Sequence, residues 1–415
     1  MKTIVLGGGV VGVTTAYYLA KDGHEVEVID AAPELGTGAT GGNAGLIAPG
    51  HSFAWASPNA PRMLVKSLFG KQTAIRMKLK PDARLYGWGL RFLRECTAER
   101  ARANTLVKLA LCQYSQRMLN ELAAEENIDY GQTSRGVLYL YRSEHELETG
   151  AQKMQLLAEN GQKIETLNAD GVVEVEPTLG PVKDRIVGAV YGPTDGSGDS
   201  QLFTNKVADV CRRMGVAFHL GRQVRALDAD ADKVTGVVTD EGILRADTYV
   251  LSLGVDSPKI AKTIGVRIPI YPAKGYSVTF PISEDNEAPV VGGVDEELLV
   301  AWCRLGTSLR MTSTAEFTGY DRSWKAKDYS NIHKMAQILF PNAADYTRGH
   351  YRACLRPMTP DGPAIIGRGR HTNLFFNTGH GHMGWTMACG SSRSTADIVG
   401  GATPDFNISG HHFRY

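Results

Sequence analysis

Residues 3–6, Thr-Ile-Val-Leu, form a short apolar run of the kind a strand buried on both faces requires. From Val10 to Lys21 apolar positions recur at helical spacing, and an alternating run over 25–29 predicts a second strand ending at Asp30. The region 51–147, punctuated by Pro58, Pro61 and Pro81, reads as mainly helical, with a strand at 136–141. The pattern over 150–177 is helical and stops at Pro177, while 188–203 reads as a strand and a turn-rich loop, and 204–214 as a helix. Short strands are predicted at 217–220, 223–228, 234–239 and 248–251. Residues 269–316 alternate apolar and polar in strands at 270–280, 298–304 and 308–314, the mark of an antiparallel sheet forming a separate layer. After a helix over 326–339 the chain returns through RPMTPDGP to TGHGHMGWTMACG, residues 378–390, where glycines and histidines crowd in front of a final helix.

The glycines between the first strand and helix change the picture. Gly7, Gly9 and Gly12 make G-x-G-x-x-G in a strand–turn–helix–strand setting, with Asp30 about twenty residues on. Gly7 permits the tight turn, Gly9 lets backbone approach a pyrophosphate, and Gly12 lets helix pack on strand; Asp30 suits ribose hydroxyls. The fingerprint serves FAD and NAD alike. The following stretch, GTGATGGNAGLIAPG over 36–50, holds six glycines and can fold along an extended dinucleotide, with Thr40 and Asn43 as polar contacts; its alternative is a surface loop. The fold class is therefore α/β. A discontinuous Rossmann-type dinucleotide-binding domain is expected over 1–50, 148–268 and 352–415. An α+β domain with a mostly antiparallel sheet is expected over 51–147 and 269–351.

At 415 residues and 43% hydrophobic, the chain can bury two such cores. A formal net charge of +1 provides no global basic field, so nucleic acid is not an expected partner. Six cysteines without a C-x-x-C pair suit a reducing compartment and argue against a redox dithiol. His380 and His382 lack a third ligand at suitable spacing, so no metal is expected. Residues 1–6 run straight into the glycine turn, leaving no room for a signal peptide, and no apolar run spans a bilayer, so a cytoplasmic location is expected.

Over essentially its whole length the chain resembles the FAD-dependent family that includes glycine, sarcosine and D-amino-acid oxidases, and within it the small subunits of bacterial D-amino-acid dehydrogenases. The resemblance is carried by LGGGVVGVTTAYYLAKDGHEVEVID, NAGLIAPG, GDSQLFT, YPAKGYS, LRPMTPDGP and NTGHGHMGWTMACGS, the last two being the most particular. It implies FAD as cofactor. Gly7, Gly9, Val10, Val11 and Gly12 would meet the pyrophosphate, Asp30 and Ala31 the adenosine ribose. Thr40, Asn43, Ala44, Gly45, Leu46 and Ile47 would follow the segment between pyrophosphate and flavin. Val224 would offer backbone contacts to adenine, and Gly254 would sit near the cofactor's middle. Where relatives commonly carry Glu, this chain has Asp30. Met383, Gly384, Trp385 and Thr386 would present backbone N–H groups to the flavin carbonyl and N1, where negative charge grows on reduction.

The same resemblance implies oxidative deamination of D-amino acids, D-proline and D-hydroxyproline among them. Hydride would pass from Cα to flavin N5, leaving an imine that hydrolyses to a 2-oxo acid and ammonia. A substrate carboxylate calls for a guanidinium fork. Related amine oxidases place theirs in the motif that holds Arg356, with Arg304 and Arg310 as weaker candidates here; the alternative for Arg356 is an ion pair with Asp361. Tyr276 offers a phenolic hydrogen bond, or is an ordinary strand aromatic. His51, His382 and His380 are candidate proton acceptors or substrate contacts, or simply pack, since a neutral-amine substrate needs no obligatory base. No second glycine fingerprint follows a strand, so a quinone or another respiratory-chain acceptor is expected in place of NAD. Between 62 and 102, basic residues including Lys66, Lys71, Lys78 and Lys80 outnumber acids and interleave with Leu68, Phe69, Ile75, Leu79, Trp88 and Phe92. That composition suits peripheral contact with the cytoplasmic face of an inner membrane, the alternative being a solvated cover over the active site. Two other readings stay open: an oxygen-using glycine- or sarcosine-type oxidase, and a non-catalytic flavin-binding subunit.

Overall fold

The computed structural model describes residues 1–68, 75–77 and 81–412. Its first sheet runs in the order Ile365–Arg368, Leu374–Thr378, Thr248–Leu251, Lys2–Leu6, Glu25–Asp30, Ala217–Leu220. All neighbours are parallel except the Ile365–Arg368 edge. The near-continuous apolar character of the central strands follows from cover on both faces. Helices Val10–Lys21, Ser200–Arg213 and Gly384–Val399 pack on one side through Val13, Tyr17, Phe203, Val207 and Ala388. The small sheet Val224–Ala229, Val234–Thr239, Gly242–Leu244 packs on the other through Leu227, Val234 and Val237. Lys2–Leu6 continues through a helix to its neighbour on one side, while Thr248–Leu251 flanks it on the other. The crevice of this topological switch therefore opens between Gly7 and Ser252, where such sheets bind their ligands.

The second sheet runs His350–Met358, Tyr271–Pro281, Ser308–Phe317, Val300–Leu305, Gly292–Asp295, Val137–Tyr141, Gly188–Gly192, Glu165–Asn168, with Ile75–Met77 beside Ser308–Phe317. It is mostly antiparallel. Helix Ser330–Leu339 covers its outer face through Ile332, Met335 and Leu339 against Tyr276, Val278 and Phe280.

Three expectations need correction. The helical pattern over 150–177 is broken: helices Glu144–Ala158 and Ala169–Val175 flank the strand Glu165–Asn168. Asn168 Oδ1 accepts from Gly171 N and so starts a separate helix there. Secondly, Glu165–Asn168 and Gly188–Gly192 fall within 148–268 yet pair with the second sheet, and His350–Met358 does so beyond residue 352. Pairing between distant strands decided this, and local pattern carries no record of it. Thirdly, Trp88 and Phe92 do not face outward; they are buried beside Tyr271 and Phe317, and Trp88 Nε1 donates to Met358 O at 2.9 Å. Of the same segment, Phe69, Lys71, Lys78, Leu79 and Lys80 lie outside the described residues, as do the side chains of Lys66, Leu68 and Ile75.

Candidate active site

The dinucleotide turn is fixed by contact. Gly7 has φ +119, and a Cβ there would stand 2.5 Å from Ser252 O. At Gly12 a Cβ would lie 1.8 Å from Gly7 O, so only glycine lets the helix start against the strand. Gly9 differs, because a Cβ there would meet only Thr40 Oγ1, at 3.3 Å, leaving its backbone approachable. Val10 N donates to Thr40 Oγ1 at 3.1 Å, with Val11 next in the helix's first turn. Asp30 accepts from Gly8 N at 2.5 Å and Ala32 N at 2.8 Å, so its carboxylate stands over the turn, with Ala31 exposed beside it. Arg222 N donates to Asp30 O and Gly221 N to Ala32 O, which brings Val224 alongside. Gly254, at φ +54, opens the turn after Thr248–Leu251.

The glycine-rich loop then lies flat on the second sheet. A Cβ at Gly42 would be 2.1 Å from Cys354 Sγ, and one at Gly45 2.4 Å from Cys303 Sγ. Arg310 Nη1 donates to Gly41 O at 3.0 Å and Asn43 O at 3.2 Å, and Arg352 Nη1 to Gly41 O at 3.1 Å. Arg310 is thus a clamp on the loop, and Arg304 is exposed and donates to Gly306 O; neither is placed to take a substrate carboxylate. The Asn43 side chain serves the loop as well: its Nδ2 donates to Ser200 Oγ and its Oδ1 accepts from Gly45 N. Ala44 follows, and Leu46–Ile47 pairs with Gly196–Ser197. Ala48 N donates to Thr386 Oγ1 at 3.2 Å, joining the loop to the first turn of the final helix. That helix, Gly384–Val399, has N-cap Met383 and no side-chain cap; Met383, Trp385 and Thr386 are buried there. Its N-terminal dipole end therefore faces the loop uncompensated by a side chain.

Arg356 projects from the same sheet. Its guanidinium lies on Gly275, where a Cβ would come within 2.4 Å of Nη2. Nη1 donates to Thr314 O at 2.8 Å, and Thr314 carries φ +66 at the irregularity in strand pairing opposite Tyr276. Among the described residues Arg356 makes no ion pair, so the alternative partnership with Asp361 is not formed. Burial holds its pKa below the ordinary guanidinium range.

His382 stands near it. The ring stacks on Trp55 at 4.9 Å and meets His51 edge-on at 5.9 Å, and His51 stacks on Tyr139 at 5.7 Å. Burial, then the nearby Lys108, His51 and Arg356 groups, push His382 well below the imidazole range. Burial likewise lowers His51, helped by Lys153 and Lys108. Both rings are neutral at physiological pH and keep a nitrogen lone pair. His380 is elsewhere: its Nε2 is 2.9 Å from Ser391 Oγ in the core, and burial takes it to about 3.

Tyr276 also departs from expectation. Its hydroxyl donates to Glu316 Oε2 at 2.5 Å, on the face that packs under helix Ser330–Leu339. Strand alternation sends Gly275, Ser277 and Thr279 toward the cofactor loop and Tyr276 away from it.

Three residues near the loop escaped sequence reasoning. Lys108 Nζ donates to Phe53 O at 2.8 Å, and Thr105 Oγ1 accepts from Ala54 N at 3.1 Å. Asp195 accepts from Gly50 N, from Tyr139 OH at 3.0 Å and from Gln162 Nε2 at 2.9 Å, and burial raises it to about 7. The signal for Lys108 was present: helical spacing puts it on a stripe with Thr105, Leu109 and Cys112.

The residues fit a bound dinucleotide with a polar ring. Among the described residues Ser52 Oγ, Ser197 Oγ, Ser252 Oγ, His382 Nε2 and Trp385 Nε1 are buried without a hydrogen-bond partner, all on segments bordering the turn, the loop or the final helix. Such orphans cost about 1–3 kcal/mol each unless a ligand meets them.

The sequence pattern of the family described as FAD dependent oxidoreductase matches residues 2–398. The D-amino acid dehydrogenase 2 of Mesorhizobium japonicum is 45% identical over 413 residues, covering 99% of this chain and 99% of that protein. The D-amino acid dehydrogenase of Methylobacterium sp. (strain 4-46) is 39% identical over 406 residues, covering 98% and 96%. Among solved structures, glycine oxidase from Geobacillus kaustophilus has a TM-score of 0.75 at 20% identity, covering 100% of this chain and 98% of that one, a likeness of fold. With the glycine turn, the clamped loop and the uncapped final helix converging on one crevice, the chain belongs to the FAD-dependent oxidoreductase family.

Proposed function

We propose that this chain oxidatively deaminates D-amino acids, D-proline and D-hydroxyproline included, and hands the electrons to a membrane quinone. When bound, FAD supplies the two-electron acceptor that the polypeptide itself lacks. Gly7, Gly9, Val10, Val11, Gly12 and Asp30 with Ala31 would hold its pyrophosphate and ribose, Thr40 and 43–47 its middle, and the amides of 383–386 its flavin edge, with Val224 and Gly254 alongside. The observation that carries the reading is Arg356, a half-buried guanidinium that donates to the Thr314 carbonyl and, among the described residues, pairs with no carboxylate. Arg356 receives the substrate carboxylate and so fixes the direction of Cα. Neutral His382 and His51 can accept a hydrogen bond from the substrate amine and so orient it, and Trp55 on His382 keeps water from that side. The imine from a primary amine hydrolyses to a 2-oxo acid and ammonia, whereas that from D-proline or D-hydroxyproline is cyclic and keeps its nitrogen.

For the acceptor, support comes from helices Ala60–Leu68 and Ala83–Glu95. They expose Met63, Val65, Tyr86, Leu90 and Leu93 among Arg62, Arg84, Arg91 and Arg94, a pattern that suits an anionic lipid face. Among the described residues no helix is long and apolar enough to cross a membrane. Salt-sensitive sedimentation with anionic vesicles tests this part. The reaction is tested by anaerobic titration of the holoenzyme with paired D- and L-amino acids. The D-isomers bleach the flavin band near about 450 nm; failure of every D-amino acid to do so overturns the reading.

A further inference from the structure

One buried carboxyl group takes no part in the reaction described above. Asp195 stands between strands Gly188–Gly192 and Gly196–Ser197, 1% exposed, and makes no ion pair among the described residues. Taking a carboxylate out of water without a counter-ion is costly, and here hydrogen bonds alone offset the cost. Three groups from distant parts of the chain supply them. Gly50 N lies 3.2 Å from each oxygen, Tyr139 OH donates to Oδ2 at 3.0 Å, and Gln162 Nε2 donates to Oδ1 at 2.9 Å. The contact with the loop is direct, since a Cβ at Gly50 would come within 2.5 Å of Oδ2.

Two of the three bonds lead to His51. Gly50 belongs to the single turn Pro49–His51, which His51 N closes on Ala48 O at 2.9 Å, so the place of Gly50 sets that of the His51 backbone. Tyr139 bounds the imidazole itself, its ring stacked at 5.7 Å with the planes 5° apart. The third bond fixes Asp195 in turn: Gln162 Nε2 also donates to Thr194 Oγ1 at 3.1 Å, and Gln116 Nε2 holds Thr194 O at 2.8 Å. Of this group only the His51 side chain is open, 38% exposed, with Asp195, Tyr139 and Gln162 buried. A side chain that meets a substrate needs neighbours whose own positions are locked, and this arrangement provides them.

We propose that Asp195 is a positioning residue for His51, holding the imidazole at the substrate amine through the Gly50 amide and the Tyr139 ring. The proposal rests on the reading of His51 as a partner of that amine.

The test is a cycle of Asp195→Ala, His51→Ala and the double variant in the holoenzyme, with Asp195→Asn as the conservative control and flavin content as the folding check. Asparagine keeps an oxygen for Gly50 N and Gln162 Nε2, and its amide can donate to the Tyr139 oxygen. In dye-linked kinetics with D-alanine, Asp195→Ala lowers kcat/KM by about tenfold while His51 is present, the scale of one hydrogen bond. In the His51→Ala background the same change costs less than about twofold, because residues that act through one another are not additive. Asp195→Asn retains most of the activity. Inhibition by propionate, which offers a carboxylate without the amine, stays within about twofold throughout. Equal losses in both backgrounds, no loss in either, or a matching rise in the propionate constant overturns the proposal.

The ring resonances of nitrogen-labelled histidine read the same arrangement without turnover. Those of His51 move in Asp195→Ala, while those of His380, which is bonded to Ser391, do not. Unmoved His51 resonances overturn the proposal. If no D-amino acid reduces the flavin, the reaction has been misread, and the resonances alone decide whether Asp195 places His51. If Asp195→Ala does not fold, Gly50→Ala, which presses on Oδ2 from the loop, takes its place in the cycle.

Discussion

Arg356→Ala removes a guanidinium whose other N–H donors remain available once Nη1 has bonded Thr314 O. A net hydrogen bond to a charged group contributes about 1.5–3 kcal/mol, and stranding a desolvated charge costs about 2–5 kcal/mol. A central figure of about 3 kcal/mol predicts a loss of about two orders of magnitude in kcat/KM. The carboxylate is bound alike before and during the reaction, so most of the loss falls on KM. Arg356→Lys keeps the charge without the planar fork and recovers only part of it. Gly275→Ala tests the same contact from the other side, since its Cβ would press within 2.4 Å of Nη2 and displace the guanidinium. Dye-linked steady-state kinetics with D-substrates provide the assay. Flavin content and melting temperature check that Thr314 O, left without its donor, has not unfolded the bulge. An Arg356→Ala enzyme with full flavin and kcat/KM within about threefold of wild type would mean that another group receives the carboxylate.

Gly12→Ala puts a methyl 1.8 Å from Gly7 O; the purified protein comes out depleted of flavin or insoluble, and normal flavin content would refute the packing argument. Tyr276→Phe loses the bond to Glu316 and destabilises by about 1–3 kcal/mol, seen in chemical denaturation, with KM left within about twofold; a steep KM rise would restore Tyr276 to the substrate site. Asp195 titrates in the folded protein at about 7, above its unfolded value, so the native state holds the extra proton between the two. That stability is full below the unfolded pKa and is lost as pH rises through about 7. Melting temperature in wild type accordingly falls between about pH 4 and pH 7 relative to Asp195→Asn, and parallel curves over that range would discount the carboxyl.

The first thirty residues were legible because everything that makes the turn lies within them: strand, glycines, helix and acid are neighbours in sequence and in space. The strands at 217–220, 234–239 and 248–251 were legible for the same reason. Sequence does not record which strand pairs with which, so Glu165–Asn168 and Gly188–Gly192 went to the wrong layer. The side chain of Tyr276 was misplaced although the information was at hand. Along Tyr271–Pro281 the positions of Tyr276, Val278 and Phe280 share one parity and Gly275, Ser277 and Thr279 the other, which assigns the aromatic to the core. Arg310 and Lys108 are harder. Lys108 is a buried cation and Arg310 a half-buried one, and what each one binds is set by a loop from another part of the chain.

That loop explains why cofactor and substrate sites cannot be separated in this chain. Thr40 caps the dinucleotide helix, Gly41 O is clamped by Arg310 and Arg352, and Asn43 is tied to Ser200. Further on, Ala48 binds Thr386, Gly50 binds Asp195, Phe53 binds Lys108, Ala54 binds Thr105, and Trp55 stacks on His382. A segment so rich in glycine loses much conformational entropy on ordering, about 1–2 kcal/mol per residue, and each of these bonds returns about 0.5–1.5 kcal/mol. Order is therefore distributed over contacts to both sheets, the final helix and the long helix, and no single one dominates. Because the residues placed at the cofactor precede those placed at the substrate by only a few positions on one backbone, a shift at either end is carried to the other. One stretch of polypeptide, pinned at many points, thus ties the glycine turn, both sheets, the long helix and the final helix together.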